Sequence, residues 1–71
     1  MNRMSVYSSN ISSIGYEDGV LEVAFGDSSI YQYFNVPEIV YRELMAAPSN
    51  GECFYDSINN HYRYVKQRRT Q

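Results

Sequence analysis

The sequence predicts an α+β domain in which a three-stranded antiparallel meander is followed by two helices packed on one face of the sheet. Two observations lead to this prediction. Before residue 35, three short segments alternate apolar and polar residues and are separated by turn residues, which is typical of strands in a meander. After residue 36, two segments repeat apolar residues at intervals of three or four, which is typical of amphipathic helices.

Alternation places the three strands along the chain. The first lies within residues 11–16, the second spans 20–25 and the third spans 30–34, and each break between them contains Gly, Asp or Ser. Residues 1–6 precede the first strand as a lead-in without regular structure.

The register of the second and third strands decides where two tyrosines point. If Asp27 and Ser28 are the central residues of a two-residue turn, the apolar residues of both strands share one face. The pairs are then Phe25 with Ile30, Val23 with Gln32 and Leu21 with Phe34. Tyr31 and Tyr33 point to the opposite face, away from the helices, as an exposed aromatic platform. A slip of one residue would reverse this assignment.

Proline and capping residues mark the helix ends. Pro37 suits the first turn of a helix, where its missing N–H costs nothing, and Pro48 ends that helix. Ser49 and Glu52 form a capping box, which predicts a second helix from about 51 to 65.

The whole chain, 1–71, is therefore interpreted as one domain, with a core at about 6–65 and a frayed basic tail at 66–71. Such a small core gains stability by oligomerising, and the single cysteine, Cys53, offers no internal disulfide, so we expect a homo-oligomer. The first residues contain no apolar signal region, and no apolar run approaches the roughly 20 residues of a membrane span. We therefore expect a cytoplasmic protein with no membrane partner.

Charge is distributed unevenly along the chain. Residues 1–59 carry two basic and eight acidic side chains and sum to −6, whereas residues 60–71 carry four basic and no acidic side chains and sum to +4. The basic cluster consists of Arg63, Lys66, Arg68 and Arg69. It could meet an anionic partner, or it could be a solvated run that complements the C-terminal end of a helix.

Tyr31 and Tyr33 are the candidate residues for stacking a base. An aromatic pair on a sheet holds nucleotides or single-stranded nucleic acid because every base has a flat π-face. The alternative is that both rings pack in a core or at a subunit interface, where tyrosine is also common.

Several polar residues are candidates for the rest of a ligand. Arg63, Arg68 and Arg69 could bind phosphate, with Arg42 of the first helix as an addition. A second polar group precedes the first strand and consists of Ser8, Ser9 and Asn10. These side chains could donate hydrogen bonds to a phosphate or a base edge, or they could bond to the nearby backbone.

The sequence gives no indication of catalysis. Its only histidine, His61, and its only cysteine, Cys53, are too few for a zinc site. On one helix they would lie about 12 Å apart, which is too far for a nucleophilic pair. We therefore expect no catalytic residue, no metal and no cofactor.

Five motifs together resemble a known family. In chain order they are Val6-x-Ser8-Ser9-Asn10-Ile11-x-x-Ile14-Gly15-Tyr16, Leu21-x-Val23-x-Phe25, Tyr31-x-Tyr33, Val36-Pro37-x-x-Val40-Tyr41-x-x-Leu44 and Ala47-x-Ser49-x-Gly51-x-x-Phe54-x-x-x-Ile58. This pattern resembles the KTSC domain, which takes its name from a C-terminal extension of some lysyl-tRNA synthetases. The resemblance spans about residues 6–62, and its central Tyr-x-Tyr is the family's hallmark. The family also includes short stand-alone proteins of bacteria and phages.

The resemblance implies little about function, because that of the family is not established and RNA binding has been suggested only from the synthetase context. The chain departs from the family pattern at two places. The turn before Tyr-x-Tyr is commonly Asn-Gly and is here Asp27-Ser28. The last helix commonly carries an aromatic-Phe-Asn run and here carries Cys53-Phe54-Tyr55, so a ligand shared by the family would be held differently.

Two functional hypotheses follow. The first is a non-catalytic binding module for a nucleotide or short single-stranded nucleic acid, in a phage-type protein that sequesters a nucleotide signal or binds RNA. The second is a protein-interaction or homo-oligomerisation module without a nucleotide ligand, in which the tyrosines form the interface.

Overall fold

The computed structural model describes residues 1–67, which form a five-stranded antiparallel sheet with two helices on one face. The elements are β1 (Met4–Ser5), β2 (Ile11–Glu17), β3 (Val20–Phe25), β4 (Ile30–Tyr33), α1 (Glu38–Ala46), α2 (Asn50–Ser57) and β5 (Tyr64–Gln67). The strands follow each other in the order β1-β2-β3-β4-β5. The α+β class is confirmed, but the predicted three-stranded meander forms only the centre of the sheet.

The residues expected to be an irregular lead-in contribute the first strand. β1 pairs with β2, with Met4 opposite Ile14. The chain can approach β2 closely because Gly15 has no side chain: a Cβ atom there would lie 2.5 Å from the carbonyl oxygen of Asn2. The sequence-based prediction missed β1 because two exposed residues show no alternation.

The turn between β3 and β4 is one residue longer than predicted. The backbone N–H of Phe25 donates to the carbonyl oxygen of Ser29 at 2.8 Å, so that Gly26, Asp27 and Ser28 form a three-residue loop. Ser28 adopts a left-handed conformation with φ 75°, as the last residue of such loops does.

The longer loop shifts the register by one residue. Val23 lies opposite Tyr31 and Leu21 opposite Tyr33, whereas we expected Gln32 and Phe34 at these positions. The prediction that the tyrosines point away from the helices is therefore wrong. They share the face of Leu21 and Val23, which the helices cover.

The second helix is shorter than predicted. Its start is confirmed, because the Ser49 hydroxyl accepts a hydrogen bond from the Glu52 N–H at 3.2 Å. The predicted end near residue 65 is wrong, because α2 ends at Ser57. Asn60 then takes a left-handed conformation with φ 67°, which does not continue the helix. The chain then returns to the sheet as β5 (Tyr64–Gln67), so Lys66 and Gln67 lie in a strand rather than in a frayed tail or helix end.

The core lies between the helices and this face of the sheet. Its fully buried side chains come from β2, β3, β4, the β4–α1 connection, both helices and the residue after α2, and they are Ile11, Ile14, Leu21, Val23, Tyr33, Val36, Leu44, Phe54 and Ile58. The stacked rings of Tyr16 and Tyr41, 4.9 Å apart between centroids, join the sheet to α1.

The opposite face carries a chain of polar side chains across the strands. Arg3 binds the buried carboxylate of Glu22, which also accepts a hydrogen bond from the Gln32 amide at 2.8 Å. Gln67 of β5 donates in turn to Gln32 at 3.0 Å. Burial raises the pKa of Glu22, but the hydrogen bonds from Gln32 and Arg3 and the charge of Arg3 outweigh it and hold the pKa below its usual value.

Candidate functional site

An open cleft of about 670 Å³ lies between the helix-covered face of the sheet and α2. We call it the tyrosine cleft. It is lined by Ser9, Asn10, Phe25, Gly26, Asp27, Ser29, Tyr31, Tyr33, Phe54, Tyr55, Asn59 and Tyr64. Six of these twelve residues are aromatic, so the walls offer both apolar area and polar groups.

The sheet side of the cleft consists of tyrosines from two neighbouring strands. Tyr31 and Tyr33 are on β4, and Tyr64 of β5 pairs directly with Tyr33. The ring centroid of Tyr64 lies 5.6 Å from that of Tyr31 and 5.4 Å from that of Tyr33. The pairing of β4 with β5 therefore builds a continuous aromatic surface from residues that are far apart in sequence.

Tyr33 is not the exposed platform residue that the sequence predicted. Only 3% of its surface is exposed, and its ring meets that of Phe54 edge to face at 5.5 Å. Burial raises the pKa of Tyr33 to about 12, and the nearby hydroxyls of Tyr31, Tyr64 and Tyr55 add to the shift. Tyr33 therefore supports the cleft as a neutral phenol at its inner side.

Tyr31 lies between this support and the open cleft. It is half-buried, with its ring edge to face against Phe25 at 5.4 Å. The Lys66 ammonium group lies 5.9 Å from its ring centre, a cation–π distance. Tyr31 thus offers a partly exposed ring beside a positive charge.

Two exposed aromatic residues of the cleft were missed from the sequence. Tyr55 of α2 is 50% exposed and Tyr64 is 51% exposed. The sequence predicted that Tyr64 lies in the second helix, but it lies in β5. Tyr64 and Lys66 are two residues apart, a spacing that places both on one face of a strand. No signal in the sequence places Tyr55 at the same cleft, because α2 and β5 meet there only through the fold.

One end of the cleft is polar. The carboxylate of Asp27 is held by Ser29, whose backbone N–H and hydroxyl donate to its Oδ1 at 3.0 and 2.6 Å. Asn10 is joined to this hairpin, because its carbonyl oxygen accepts the Gly26 N–H at 2.8 Å. Ser9 lines the same end.

The structure separates the three polar residues that were expected to act together. Ser9 and Asn10 line the cleft. Ser8 does not, and its hydroxyl accepts the backbone N–H groups of Asn10 and Ile11 at 3.3 and 3.4 Å. Ser8 therefore fixes the entry to β2, which is the local use considered in the alternative.

Of the expected phosphate-binding residues, the two that the structure describes, Arg42 and Arg63, do not line the cleft. Arg42 lies on α1 and is paired with Glu38 at 3.0 Å. Arg63 is exposed between α2 and β5, where its carbonyl oxygen accepts the Phe34 N–H. Arg68 and Arg69 lie outside the described residues. In the part of the chain that the structure describes, the positive charge found beside the cleft is that of Lys66.

The described residues offer no arrangement typical of a metal site. Within 1–67, no three His, Cys, Asp or Glu side chains are grouped so that they could hold a metal ion. Cys53 is half-buried in α2, and His61 follows the end of that helix rather than lying on it. Over the same residues no helix is long and apolar enough to cross a membrane.

Comparisons with known proteins agree with this architecture. The profile of the KTSC domain matches residues 7–62. The solved structure of the KTSC domain protein YPO2434 from Yersinia pestis superposes with a TM-score of 0.91 and 38% identity, over 94% of this chain and 97% of that one. An uncharacterized protein of Stutzerimonas stutzeri is 39% identical over 90% of this chain and 94% of its own length.

A second group of relatives is much longer. A lysine–tRNA ligase of Nostoc sp. is 43% identical over 44 residues, which is 62% of this chain but 8% of the ligase. A lysine–tRNA ligase of Trichormus variabilis is 41% identical over the same extent. The profile match, the solved structure and these relatives lead to one conclusion: the chain belongs to the KTSC domain family.

Proposed function

We propose that this domain is a non-catalytic binding module for the base of a nucleotide or of a short single-stranded nucleic acid. The observation that carries the proposal is the tyrosine cleft, in which half-exposed rings from a helix and a strand adjoin a polar end. Its volume of about 670 Å³ lies within the range of about 300–1,000 Å³ that is typical of small-molecule sites. A single nucleotide fits such a cleft, whereas a duplex does not.

Stacking is the interaction that the exposed rings favour. Tyr55, Tyr64 and Tyr31 each present part of a ring to the cleft, and stacking on an aromatic side chain contributes about 1–3 kcal/mol per base. In this proposal Tyr31 keeps the base-stacking role that the sequence predicted for it. Tyr33 serves as the packed support behind it.

The phosphate of the ligand is proposed to lie at the outer side of β5. Lys66 is beside Tyr31, and Arg63, Arg68 and Arg69 belong to the same basic end of the chain. A net charge of −2 disfavours binding of long duplexes, which requires an extended basic face, but a few positive groups suffice for one nucleotide or a short strand. Arg42 pairs with Glu38 on α1 and does not line the cleft, so we assign it no part in this proposal.

The relatives are consistent with a nucleic-acid ligand. Lysine–tRNA ligases carry a similar segment, and their name states that they act on tRNA. The segment is 8% of the ligase, so the likeness concerns an accessory part and not the ligation reaction. In a phage-type protein the same module would sequester a nucleotide signal or occupy an RNA.

Titration with nucleotides tests the proposal. We expect mononucleotides or a short single-stranded RNA to bind, and Tyr55→Ala and Tyr64→Ala to weaken the affinity at least fivefold each. Tyr7→Ala is the matched control, because Tyr7 is fully exposed and does not line the cleft. Equal affinities for all variants, or no binding at millimolar ligand, would contradict the proposal.

A second candidate function is homo-oligomerisation, and one observation favours it. Among residues 1–67, β5 is the last strand in the sheet order, and Val65 on it is 49% exposed. An unpaired edge strand with an exposed apolar side chain is a template for pairing with another chain. Native mass spectrometry of the gently purified protein separates the two functions: bound nucleotide mass supports the first, and an oligomer without ligand supports the second.

A further inference from the structure

β5 carries one wall of the tyrosine cleft, yet none of its side chains is fully buried. Tyr64, Val65 and Lys66 are exposed, and Gln67 is half-buried. Among the described residues β5 is also the outermost strand on its side of the sheet. A strand that buries so little apolar area gains little from the hydrophobic effect, so its position depends on hydrogen bonds to its neighbour β4. Whatever fixes β5 therefore also fixes that wall of the cleft.

The half-buried side chain of β5 makes such a bond on the face of the sheet opposite the cleft. The amide of Gln67 donates from Nε2 to Oε1 of Gln32 at 3.0 Å. Gln32 lies on β4 between Tyr31 and Tyr33, and its side chain points away from theirs because successive residues of a strand face opposite sides. The bond therefore ties β5, from behind the cleft, to the strand that carries the tyrosine motif.

Glu22 determines which way the Gln32 amide points. Its residue is 8% exposed, and its ionised carboxylate can only accept hydrogen bonds, so Nε2 of Gln32 must face it, at 2.8 Å. Arg3 binds the same carboxylate, which favours the ionised form. With the nitrogen of the amide on Glu22, the amide oxygen is left facing β5. Gln67 supplies the donor that this oxygen requires.

We propose that Gln32 is a positioning residue of the tyrosine cleft. Glu22 orients its amide, and the amide holds Gln67 and with it the whole of β5. The strand in turn presents Tyr64 and Lys66 to the cleft. This positioning acts in the protein without a ligand. The expectation that a nucleotide stabilises the docked strand rests in addition on the proposed function.

The backbone amide of Val65 reports whether β5 is docked on β4. The carbonyl oxygen of Arg63 accepts the N–H of Phe34, so these two residues form a hydrogen-bonded pair. Hydrogen-bonded pairs alternate along an antiparallel ladder, which makes Val65 and Gln32 the next such pair. The Val65 N–H is therefore protected while β5 is docked and exchanges with water when the strand leaves β4.

Amide hydrogen exchange of the full chain, followed by nuclear magnetic resonance, tests the proposal. Gln67→Leu keeps a side chain of similar size and removes the donor to Gln32. An ordinary hydrogen bond changes an equilibrium constant roughly 2- to 13-fold, so we expect the exchange of Val65 to accelerate by a factor in this range. Equal exchange of Val65 in this variant and in the unaltered protein would overturn the proposal.

Reversing the direction of the hydrogen bonds tests the part played by Glu22. Gln67→Glu sets a second acceptor against the Gln32 oxygen and should accelerate Val65 exchange more than Gln67→Leu does. Adding Glu22→Gln lets the Gln32 amide turn over, accept from residue 22 and donate to residue 67, so exchange should slow again. Adding Glu17→Gln instead is the matched control, because it removes an exposed charge at the end of β2. Equal exchange in the two double variants would overturn the orienting role of Glu22.

Added nucleotide separates failure of this inference from failure of the proposed function. A ligand that contacts Tyr64 binds only while β5 is docked, so we expect millimolar AMP, GMP or short oligouridine to slow Val65 exchange roughly fivefold or more. If the variants behave as expected but no nucleotide slows exchange, the positioning stands and the proposed function is contradicted. If a nucleotide slows exchange but Gln67→Leu matches the unaltered protein, the proposed function stands and the positioning is overturned.

Discussion

Val23 of β3 lies directly opposite Tyr31 of β4, and this pairing puts the tyrosine motif on the helix-covered face of the sheet. The consequence is a cleft rather than a flat platform. Tyr33 is packed against α2 through Phe54, while Tyr31 and its neighbour Tyr64 remain open to a ligand. The register therefore determines both the stability of the motif and its accessibility.

The β3–β4 loop, which sets this register, has a strained backbone at Ser28. Ser28 has φ 75°, a conformation that glycine adopts at lower cost. We expect Ser28→Gly to raise the free energy of unfolding by about 0.5 kcal/mol, measured by urea denaturation, after the greater flexibility of unfolded glycine is subtracted. Ser57→Gly, at an exposed helical position of α2, is expected to lower it. A stability loss at Ser28 equal to that at Ser57 would contradict the loop geometry.

The close approach of the N-terminal segment to β2 gives a second prediction. A Cβ atom at Gly15 would lie 2.5 Å from the Asn2 carbonyl oxygen, so Gly15→Ala must displace this segment. We expect a loss of about 1–3 kcal/mol in unfolding free energy by denaturant titration. Gly26→Ala is the matched control, since its Cβ would lie 3.7 Å from the nearest atom, an ordinary contact. Equal effects of both substitutions would show that the N-terminal segment does not pack on Gly15.

Acid should weaken the protein through Glu22. Its folded pKa is lowered, so below pH 4.5, the ordinary value, the unfolded state binds a proton more readily than the folded one. Stability from Glu22 is therefore present above that pH and is lost as the pH falls through the folded pKa. The unfolding free energy should fall as the pH is lowered from 6 to 3. We expect Glu22→Gln to reduce this fall, whereas the substitution Glu17→Gln, at an exposed position, leaves it unchanged. The same acid slope in both variants would contradict the role of the Arg3 and Gln32 contacts.

Alkali should weaken the protein through Tyr33. Its pKa is raised to about 12 from 10, so the unfolded state loses the phenol proton first. The stability that Tyr33 contributes is fully present below pH 10 and is lost as the pH rises toward about 12. We expect Tyr33→Phe to reduce this loss and Tyr7→Phe to leave it unaffected, in denaturation series from pH 9 to 12. If the unfolding free energy of Tyr33→Phe falls with rising pH as steeply as that of the unaltered protein, the prediction is contradicted, because the Tyr33 hydroxyl would then be exposed to water.

The central part of the fold was predictable from local patterns. Alternation identified β3 at its observed bounds, Val20–Phe25, and Pro37 and Pro48 bracketed α1. Ser49 correctly marked the start of α2. These signals depend on residues next to each other in the chain, which is why they are readable without the tertiary structure.

The remaining features depend on single-residue differences or on distant contacts. A three-residue loop and a two-residue loop fit Gly26-Asp27-Ser28 almost equally, yet they put Tyr31 on opposite faces. Helical spacing of apolar residues continued past Ser57, and the stop depended on the left-handed turn at Asn60. The cleft could not be predicted as a site because Tyr55, Tyr64 and Asp27 meet only once β5 has joined the sheet.

Nuclear magnetic resonance of the ¹⁵N-labelled full chain, titrated with GMP and with a short single-stranded RNA, tests the binding site most directly. We expect saturable shifts of backbone amides that are concentrated at Asn10, Ser29, Asn59 and Tyr64 around the tyrosine cleft, while amides of α1 such as that of Arg42 stay in place. Shifts concentrated on α1 or on the polar face around Glu22, or no shifts at millimolar ligand, would contradict nucleotide binding at this cleft.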